Sequence, residues 1–191
     1  MGILTRDQIL AIGFARVGAH VLLSDKASFY GVEHIRLGNH VRIDDFCVLS
    51  AGAGGIEIGN YIHVAAACTL IGAEKISLRD YSNLSSRVAI YSSSDDYSGA
   101  TMTNPMVPAE LTGVKHAPVT LESHVIVGCG SVVLPGVTLE EGVAVGALSV
   151  IRRSCAAFGI YSGNPARRVA ERKRDLLALA ERLNQAAAPT R

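Results

Sequence analysis

The residues of this chain that could move a proton near neutral pH are its six histidines. Histidine is the usual general base at that pH because its imidazole exchanges a proton close to neutrality. No two of the six have the spacing typical of paired metal ligands, so we predict no metal site. His63, in the segment NYIHVAAACTLIG, is our first candidate for a general base. The alternative is a structural histidine that is solvated or held by a hydrogen bond.

Two aspartate pairs, Asp44–Asp45 and Asp95–Asp96, form a second set of candidate groups. The second pair lies in residues 91–118, a stretch with aromatic residues and three prolines that is long for a loop in a compact domain. We therefore expect an ordered, functional loop. Asp95 is the second candidate for a base, and the alternative is a loop aspartate that makes a turn hydrogen bond.

A six-residue repeat organises the elements that must position these groups. An aliphatic residue recurs at Leu121, Val127, Val133, Leu139, Val145 and Ile151, and a small or branched residue follows each one four positions later. Neither the period of 3.6 of an amphipathic helix nor the period of 2 of a half-buried strand gives this spacing. A period of six is typical of a parallel β-helix, in which each six is a short strand and a corner. We therefore predict an all-β fold with the aliphatic residues inside.

The same repeat divides the chain into three parts. Weaker sixes begin at Val17, so we predict a β-helix over residues 17–163 with the loop of residues 91–118 inserted in it. A short helix is predicted over Thr5–Val17 with Thr5 as its N-cap, largely within an N-terminal segment of residues 1–16. Residues 164–191 are predicted to form a C-terminal helix, with Pro165 in its first turn, and a tail.

The composition narrows the class of partner. Charged residues make up 18% of the chain and the formal net charge is +1, which does not favour nucleic acid or a membrane surface as a partner. No apolar run approaches the roughly 20 residues of a membrane-spanning helix. Cys47, Cys68 and Cys155 fall on the small inward position of a six, so we expect reduced core cysteines in a cytoplasmic protein.

The sixes and the segment that follows them, YSGNPARRV at Tyr161–Val169, resemble the hexapeptide-repeat acyltransferases. This resemblance covers residues 35–169. It implies a left-handed β-helix, a hand that the spacing alone does not decide. It also implies homotrimers with each active site in a cleft between subunits. The implied acyl donor is acetyl-CoA or a related thioester along the C-terminal coils, with direct transfer and no acyl-enzyme.

The resemblance further implies that five residues contact the coenzyme: Cys129, Ala147, Arg152, Arg153 and Arg167. Cys129 stands where sugar acetyltransferases often carry a serine beside the thioester arm, and Ala147 stands where the backbone meets the pantetheine. The three arginines suit the phosphates of the coenzyme, because a guanidinium donates paired hydrogen bonds to phosphate. The alternatives are solvated arginines and an ordinary exposed thiol.

The segments NHVRIDDFCVLS, YIHVAA and IYSGNPARR resemble a branch of the family that acylates sugars for O-antigen and capsule synthesis. The maltose and galactoside enzymes of the family carry a histidine in the loop where this chain has Ser94, Asp95 and Asp96. An amine acceptor is consistent with that difference, because a neutral amine is already nucleophilic and needs less help from a base. The branch therefore implies a nucleotide-linked amino sugar as the acceptor.

In this interpretation His63 collects the proton, and Asp44, Asp45 and Asp96 orient the sugar or its amine. Asp44 and Asp45 could instead be a structural pair at a corner of the fold. Two other functions stay open on the sequence alone. One is an O-acetyltransferase that acts on a saccharide hydroxyl, and the other is a β-helix scaffold without catalytic activity.

Overall fold

The backbone winds into a three-sided prism, one short strand to each side of each coil. The computed structural model describes residues 2–187. Helix α1 (Arg6–Ala11) precedes the first coils. These coils contain β1 (Arg16–Val17), β2 (Leu22–Leu23), β3 (Ser28–Tyr30), β4 (Ile35–Leu37), β5 (Val41–Ile43), β6 (Val48–Ala51), β7 (Ile56–Ile58), β8 (Ile62–Val64), β9 (Thr69–Gly72), β10 (Ile76–Leu78), β11 (Asn83–Leu84) and β12 (Ala89–Tyr91).

The second half of the chain completes the prism after a long loop. The loop holds β13 (Ser93–Ser94) and β14 (Lys115–His116). The last coils contain β15 (Val119–Leu121), β16 (Ile126–Val127), β17 (Val132–Val133), β18 (Thr138–Leu139), β19 (Ala144–Val145), β20 (Val150–Ile151) and β21 (Gly159–Gly163). Strand β22 (Ala166–Glu171) and helix α2 (Asp175–Ala187) follow.

The strands assemble into three sheets that form the sides of the prism. Sheet 1 has the order β1-β4-β7-β10-β15-β18, sheet 2 the order β2-β5-β8-β11-β16-β19-β21-β22, and sheet 3 the order β3-β6-β9-β12-β17-β20. Neighbouring strands of the three sheets are parallel, except for the antiparallel pair β21–β22. The prediction of a parallel β-helix is therefore confirmed.

The interior of the prism consists of aliphatic side chains stacked from coil to coil. One coil contributes Leu37, Ile43 and Leu49, and the next contributes Ile58, Val64 and Leu70, all of them buried. The buried residues include the three cysteines predicted to face inward, whereas Cys129 is exposed. The six-residue spacing therefore identified the core correctly.

The corner between sheets 1 and 2 carries a column of stacked rings, formed by His20, His40, Tyr61, Tyr81 and His124. All five have a left-handed backbone, with φ between 54° and 65°. Their ring centroids are 4.5 to 5.3 Å apart. A left-handed conformation costs a residue other than glycine roughly 1–2 kcal/mol, and each aromatic contact returns about 0.5–1.5 kcal/mol. Stacking thus offsets part of the strain of this corner.

The two predictions for the ends of the chain need correction. The N-terminal helix ends at Ala11 instead of Val17, because Gly13 adopts φ 90° and Arg16–Val17 already pairs with sheet 1. Thr5 is its N-cap, and it forms a capping box with Gln8.

The prediction of a helix that starts at Pro165 is wrong. Residues 166–171 form β22, which pairs with the last strand of sheet 2, and α2 begins only at Asp175. The end of the prism leaves a strand with unpaired backbone groups, and β22 satisfies them. The end of the predicted tail, residues 188–191, lies outside the described residues. Neither helix within residues 2–187 is long and apolar enough to cross a bilayer.

The loop of residues 91–118 is held by contacts of its own. Strands β13 and β14 pair in an antiparallel fashion at its base, where the Oγ of Ser93 lies 2.8 Å from Nδ1 of His116. The carboxylate of Asp96 accepts hydrogen bonds from the backbone and the hydroxyl of Ser98, at 3.0 and 2.8 Å, and from Thr101. These bonds give the loop a defined shape, as the sequence predicted.

Candidate active site

His63 lies in the middle of β8 and points outward from sheet 2. It therefore lies on a flat side of the prism and not at one of its corners. In the register of the sheet its neighbours are Arg42 on the preceding coil and Asn83 on the following coil. Adjacent parallel strands lie about 4.8 Å apart, so these three side chains share one patch of the surface.

The carboxylate of Asp44 bridges two of these side chains. Its Oδ2 lies 2.8 Å from Nε2 of His63, and its Oδ1 accepts a 2.7 Å hydrogen bond from Nε of Arg42. The Asp44 side chain is 10% exposed, whereas the His63 side chain is 43% exposed. A ligand could therefore reach the imidazole, while the carboxylate beneath it is almost enclosed.

These contacts decide the charge of Asp44. Burial raises its pKa, but the hydrogen bonds and charges of His63 and Arg42 lower it more, so the pKa lies below the ordinary value. Asp44 is consequently a carboxylate at neutral pH. Each of its oxygens has one protein partner, and the role of Asp44 in orienting a sugar stays a prediction.

Asp45 belongs to a different set of contacts from its neighbour in the chain. Its carboxylate accepts a hydrogen bond from the hydroxyl of Ser24, which lowers its pKa, and lies 3.5 Å from the ammonium of Lys26. Asp44 and Asp45 therefore do not act as one pair.

Asp95 and Asp96 lie at the loop, in two distinct environments. Asp95 lines an open cavity of about 400 Å³ together with Tyr91, Tyr97 and Val114. Asp96 uses its carboxylate within the loop, and the backbone and side-chain hydrogen bonds from Ser98 lower its pKa to about 2. Asp96 is thus a weak base that shapes the loop.

The structure places Asp95 and His63 on different sides of the prism. His63 projects from sheet 2, whereas Asp95 follows β12 of sheet 3. The two candidate bases therefore serve different surfaces of the same prism.

The structure brings the three predicted coenzyme arginines together. Arg152, Arg153 and Arg167 line a cavity of about 330 Å³ at the C-terminal end of the prism, beside Tyr161 and Arg168. Arg152 and Arg153 follow β20, and Arg167 comes from β22, so the hairpin that the sequence did not predict completes this cavity. A cluster of guanidinium groups at one site favours an anion such as a phosphate.

Cys129 and Ala147 lie on consecutive coils at the corner between sheets 2 and 3. The backbone N–H of Leu148 donates a 2.8 Å hydrogen bond to the carbonyl of Cys129. Arg152 is five positions after Ala147, so their backbones are at most about 18 Å apart. The exposed corner and the arginine cavity thus lie at opposite edges of sheet 3.

Two residues of this surface were missed in the sequence. Arg42 lies in β5 and Asp44 directly follows that strand, so the spacing of two positions places both side chains on one face. Arg168 lines the arginine cavity but also pairs with Glu171. Only the pairing of β22 with β21 explains the position of Arg168. Within residues 2–187, no group of three or more histidine, cysteine or acidic residues is arranged to hold a metal ion.

Comparison with known proteins places this geometry in a family. The chain is 52% identical over 179 residues to a dTDP-4-amino-4,6-dideoxy-D-glucose acyltransferase from Escherichia coli, a match that covers 94% of this chain and 93% of that protein. The chain belongs to the family of this acyltransferase. No protein-family model matches the chain.

Solved structures of the family agree with the fold. A serine-to-alanine mutant of the N-acyltransferase AntD from Bacillus cereus, in complex with dTDP-4-amino-4,6-dideoxyglucose and coenzyme A, superposes with a TM-score of 0.94 at 40% identity, covering 97% of this chain and 98% of that chain. AntD in complex with dTDP and 3-hydroxybutyryl-CoA gives a TM-score of 0.93 at 40% identity, covering 96% of this chain and 97% of that chain. The family predicted from the hexapeptide repeat and the GNPARR segment is confirmed.

Proposed function

We propose that this protein is an acyl-CoA-dependent N-acyltransferase that modifies the amino group of a nucleotide-linked amino sugar. The observation that carries the proposal is the 52% identity over nearly the whole chain to an enzyme with that activity. The arginine cavity and the exposed imidazole supply the two functions that such a reaction requires, an anion site and a proton acceptor. By similarity to the E. coli enzyme and to the AntD complexes, the nucleotide is dTDP and the sugar is a 4-amino-4,6-dideoxyglucose.

The coenzyme is assigned to sheet 3 and its edges. Arg152, Arg153 and Arg167 would bind its phosphates, and the exposed corner at Cys129 and Ala147 would contact the arm that leads to the thioester. The maximum distance of about 18 Å between these two places suits a long, flexible donor that is charged at one end.

The reaction is a direct transfer between amine and thioester. The nitrogen of the sugar amine attacks the thioester carbonyl, a C–N bond forms, and the C–S bond breaks to release coenzyme A. The amine must lose one proton in the process, and His63 is the group on sheet 2 that can accept it. Acetyl-CoA is the proposed donor, and no metal is required.

Asp95 is the second proposed catalytic residue. Variants of AntD with a serine or an aspartate replaced, ten positions apart in that chain, have been crystallised with dTDP and coenzyme A. Two pairs in this chain have the same spacing, Ser85 with Asp95 and Ser86 with Asp96, and only Asp95 of the two aspartates lines the open cavity. That spacing and the cavity beside Asp95 support a role for this carboxylate near the amino sugar. Asp45 and Asp96 remain proposed contacts of the sugar, and Asp96 also shapes the loop.

We further propose that the enzyme is a cytoplasmic homotrimer of surface-polysaccharide synthesis, which includes lipopolysaccharide O-antigen and capsule. His63 and Asp95 lie on different sheets of one prism, so they can face one substrate only if they come from two copies. A cleft between adjacent subunits would supply both groups.

The test is release of free thiol from acetyl-CoA across a panel of acceptors. The panel contains dTDP-4-amino-4,6-dideoxyglucose, other nucleotide amino sugars, the matching 4-hydroxy nucleotide sugar, and plain saccharides. We expect turnover only with amino sugars. Turnover confined to the hydroxyl acceptors would instead identify an O-acetyltransferase, and failure of coenzyme A to bind in calorimetry would identify a scaffold.

A further inference from the structure

The imidazole of His63 has two nitrogens, and only the one without a proton can act as a base. The Nε2 atom lies 2.8 Å from Oδ2 of Asp44. Within residues 2–187, the Nδ1 atom has no hydrogen-bond partner. The two nitrogens are thus in different environments, and the protein contact of Nε2 decides which of them holds the proton.

Asp44 can only accept in this contact. Arg42 donates to its Oδ1 at 2.7 Å, and the carboxylate keeps its negative charge because the two partners lower its pKa. An ionised carboxylate has no proton to donate, so the hydrogen between the two residues must belong to Nε2 of His63. In the neutral ring the lone pair is then on Nδ1.

We infer that Asp44, held by Arg42, is a positioning residue that keeps the proton of His63 on Nε2 and leaves Nδ1 as the proton acceptor. This inference rests on the proposed function of His63 as the base. When the amine transfers its proton to Nδ1, the ring becomes an imidazolium with a positive charge. The carboxylate at 2.8 Å stabilises that charge and holds the ring in one orientation.

The burial of Asp44 supports this division of roles. Only 7% of the residue is exposed, and its oxygens face His63 and Arg42. Asp44 therefore acts on the acceptor through His63, in contrast to the direct sugar contact expected from the sequence.

The first experiment measures the tautomer directly. Ring ¹⁵N chemical shifts of His63 in the selectively labelled protein distinguish an Nε2–H ring from an Nδ1–H ring. We expect Nε2–H in the native protein. In Asp44→Asn, the side chain has one oxygen instead of two, so it cannot accept hydrogen bonds from both His63 and Arg42 through separate oxygens. The tautomer ratio of His63 should therefore shift toward Nδ1–H. A native ring that is predominantly Nδ1–H and neutral would overturn the inference.

The second experiment measures steady-state kinetics of the same variants. Asp44→Asn should lower kcat about 10- to 100-fold and change the KM of the acyl-CoA less than about twofold, since a base contributes about 10²–10⁴-fold and part of that depends on its orientation. Arg42→Ala keeps the carboxylate but removes one of its two partners, and we expect a smaller loss of kcat, about three- to tenfold. Because the Arg42 side chain is half exposed, this variant should fold even if Asp44→Asn does not.

Glu57→Gln is the matched control. Glu57 also pairs with a cation, Lys75, but on sheet 1, so its loss should leave kcat unchanged. If His63→Ala loses activity while Asp44→Asn and Arg42→Ala keep native kcat, the inference about Asp44 is overturned and the base assignment stands. If His63→Ala keeps native kcat, the inference about Asp44 and the assignment of His63 as the base are both overturned. The acceptor panel still decides the proposed function by itself.

Discussion

Replacing Arg152 by alanine should weaken the binding of coenzyme A through loss of a phosphate contact. Arg152 lines the cavity of about 330 Å³ together with Arg153 and Arg167, and it is exposed. A hydrogen bond to a charged group contributes about 1.5–3 kcal/mol. Because solvent screens an exposed guanidinium, we take the lower end, about 1.5 kcal/mol, which corresponds to about tenfold in Kd.

The assay is calorimetric titration with two ligands, coenzyme A and pantetheine. Pantetheine keeps the thiol arm and lacks the phosphates, so Arg152→Ala should weaken coenzyme A about tenfold and leave pantetheine unchanged. Arg36→Ala serves as a control, because Arg36 is an exposed arginine on sheet 1 at the other side of the prism. Raising the ionic strength should reduce the difference between native protein and Arg152→Ala, as expected for an exposed charge.

Two results would refute the placement of the coenzyme. If Arg152→Ala weakens coenzyme A and pantetheine equally, the effect comes from the shape of the cavity and not from a phosphate. If the variant changes only the KM of the amino sugar, the arginines belong to the acceptor site instead.

Three further predictions concern the carboxylate of Asp44, the core of the prism and the exposed thiol of Cys129. The pKa of folded Asp44 lies below its ordinary value of 3.8. The ionised carboxylate therefore stabilises the folded protein fully above pH 3.8, and this stabilisation is lost as the pH falls through the lower folded pKa. In urea unfolding, the free energies of unfolding of native protein and Asp44→Asn should differ at pH 7, and the difference should shrink below about pH 4. An unchanged gap at low pH would exclude a charged Asp44. Leu70 is fully buried, so Leu70→Ala should lower the free energy of unfolding by about 2–5 kcal/mol in the same urea experiment. Leu148 is 75% exposed, so Leu148→Ala should change it by about 0.5 kcal/mol or less. Cys129→Ser should keep kcat within about threefold and mass spectrometry should detect no acylated protein, because the amine attacks the thioester directly; an acyl adduct on native Cys129 would contradict this mechanism.

The six-residue repeat was sufficient to predict the prism and its interior. Each six carries its own inward aliphatic residue, so the core at positions such as Val127 and Val133 depends on local spacing alone. The same local logic identified Cys47 and Cys68 as buried and Cys129 as exposed. It failed at Pro165, where helix-forming residues follow a proline, because residues 166–171 pair instead with the free edge of the preceding strand, β21.

The candidate site was likewise predicted in part from the sequence. The residue types of His63 and the three arginines pointed to a base and an anion site, since the chemistry of a side chain is a property of the residue itself. The contact partner of a side chain cannot be read from its residue type. Asp44 and His63 are 19 positions apart and meet only when two coils stack in register. The sequence by itself thus determined the fold, the family and the candidate groups. Only the tertiary structure showed that Asp44 contacts His63 and that the β21–β22 hairpin places Arg167 beside the same cavity as Arg152, because both arrangements depend on how the strands pair.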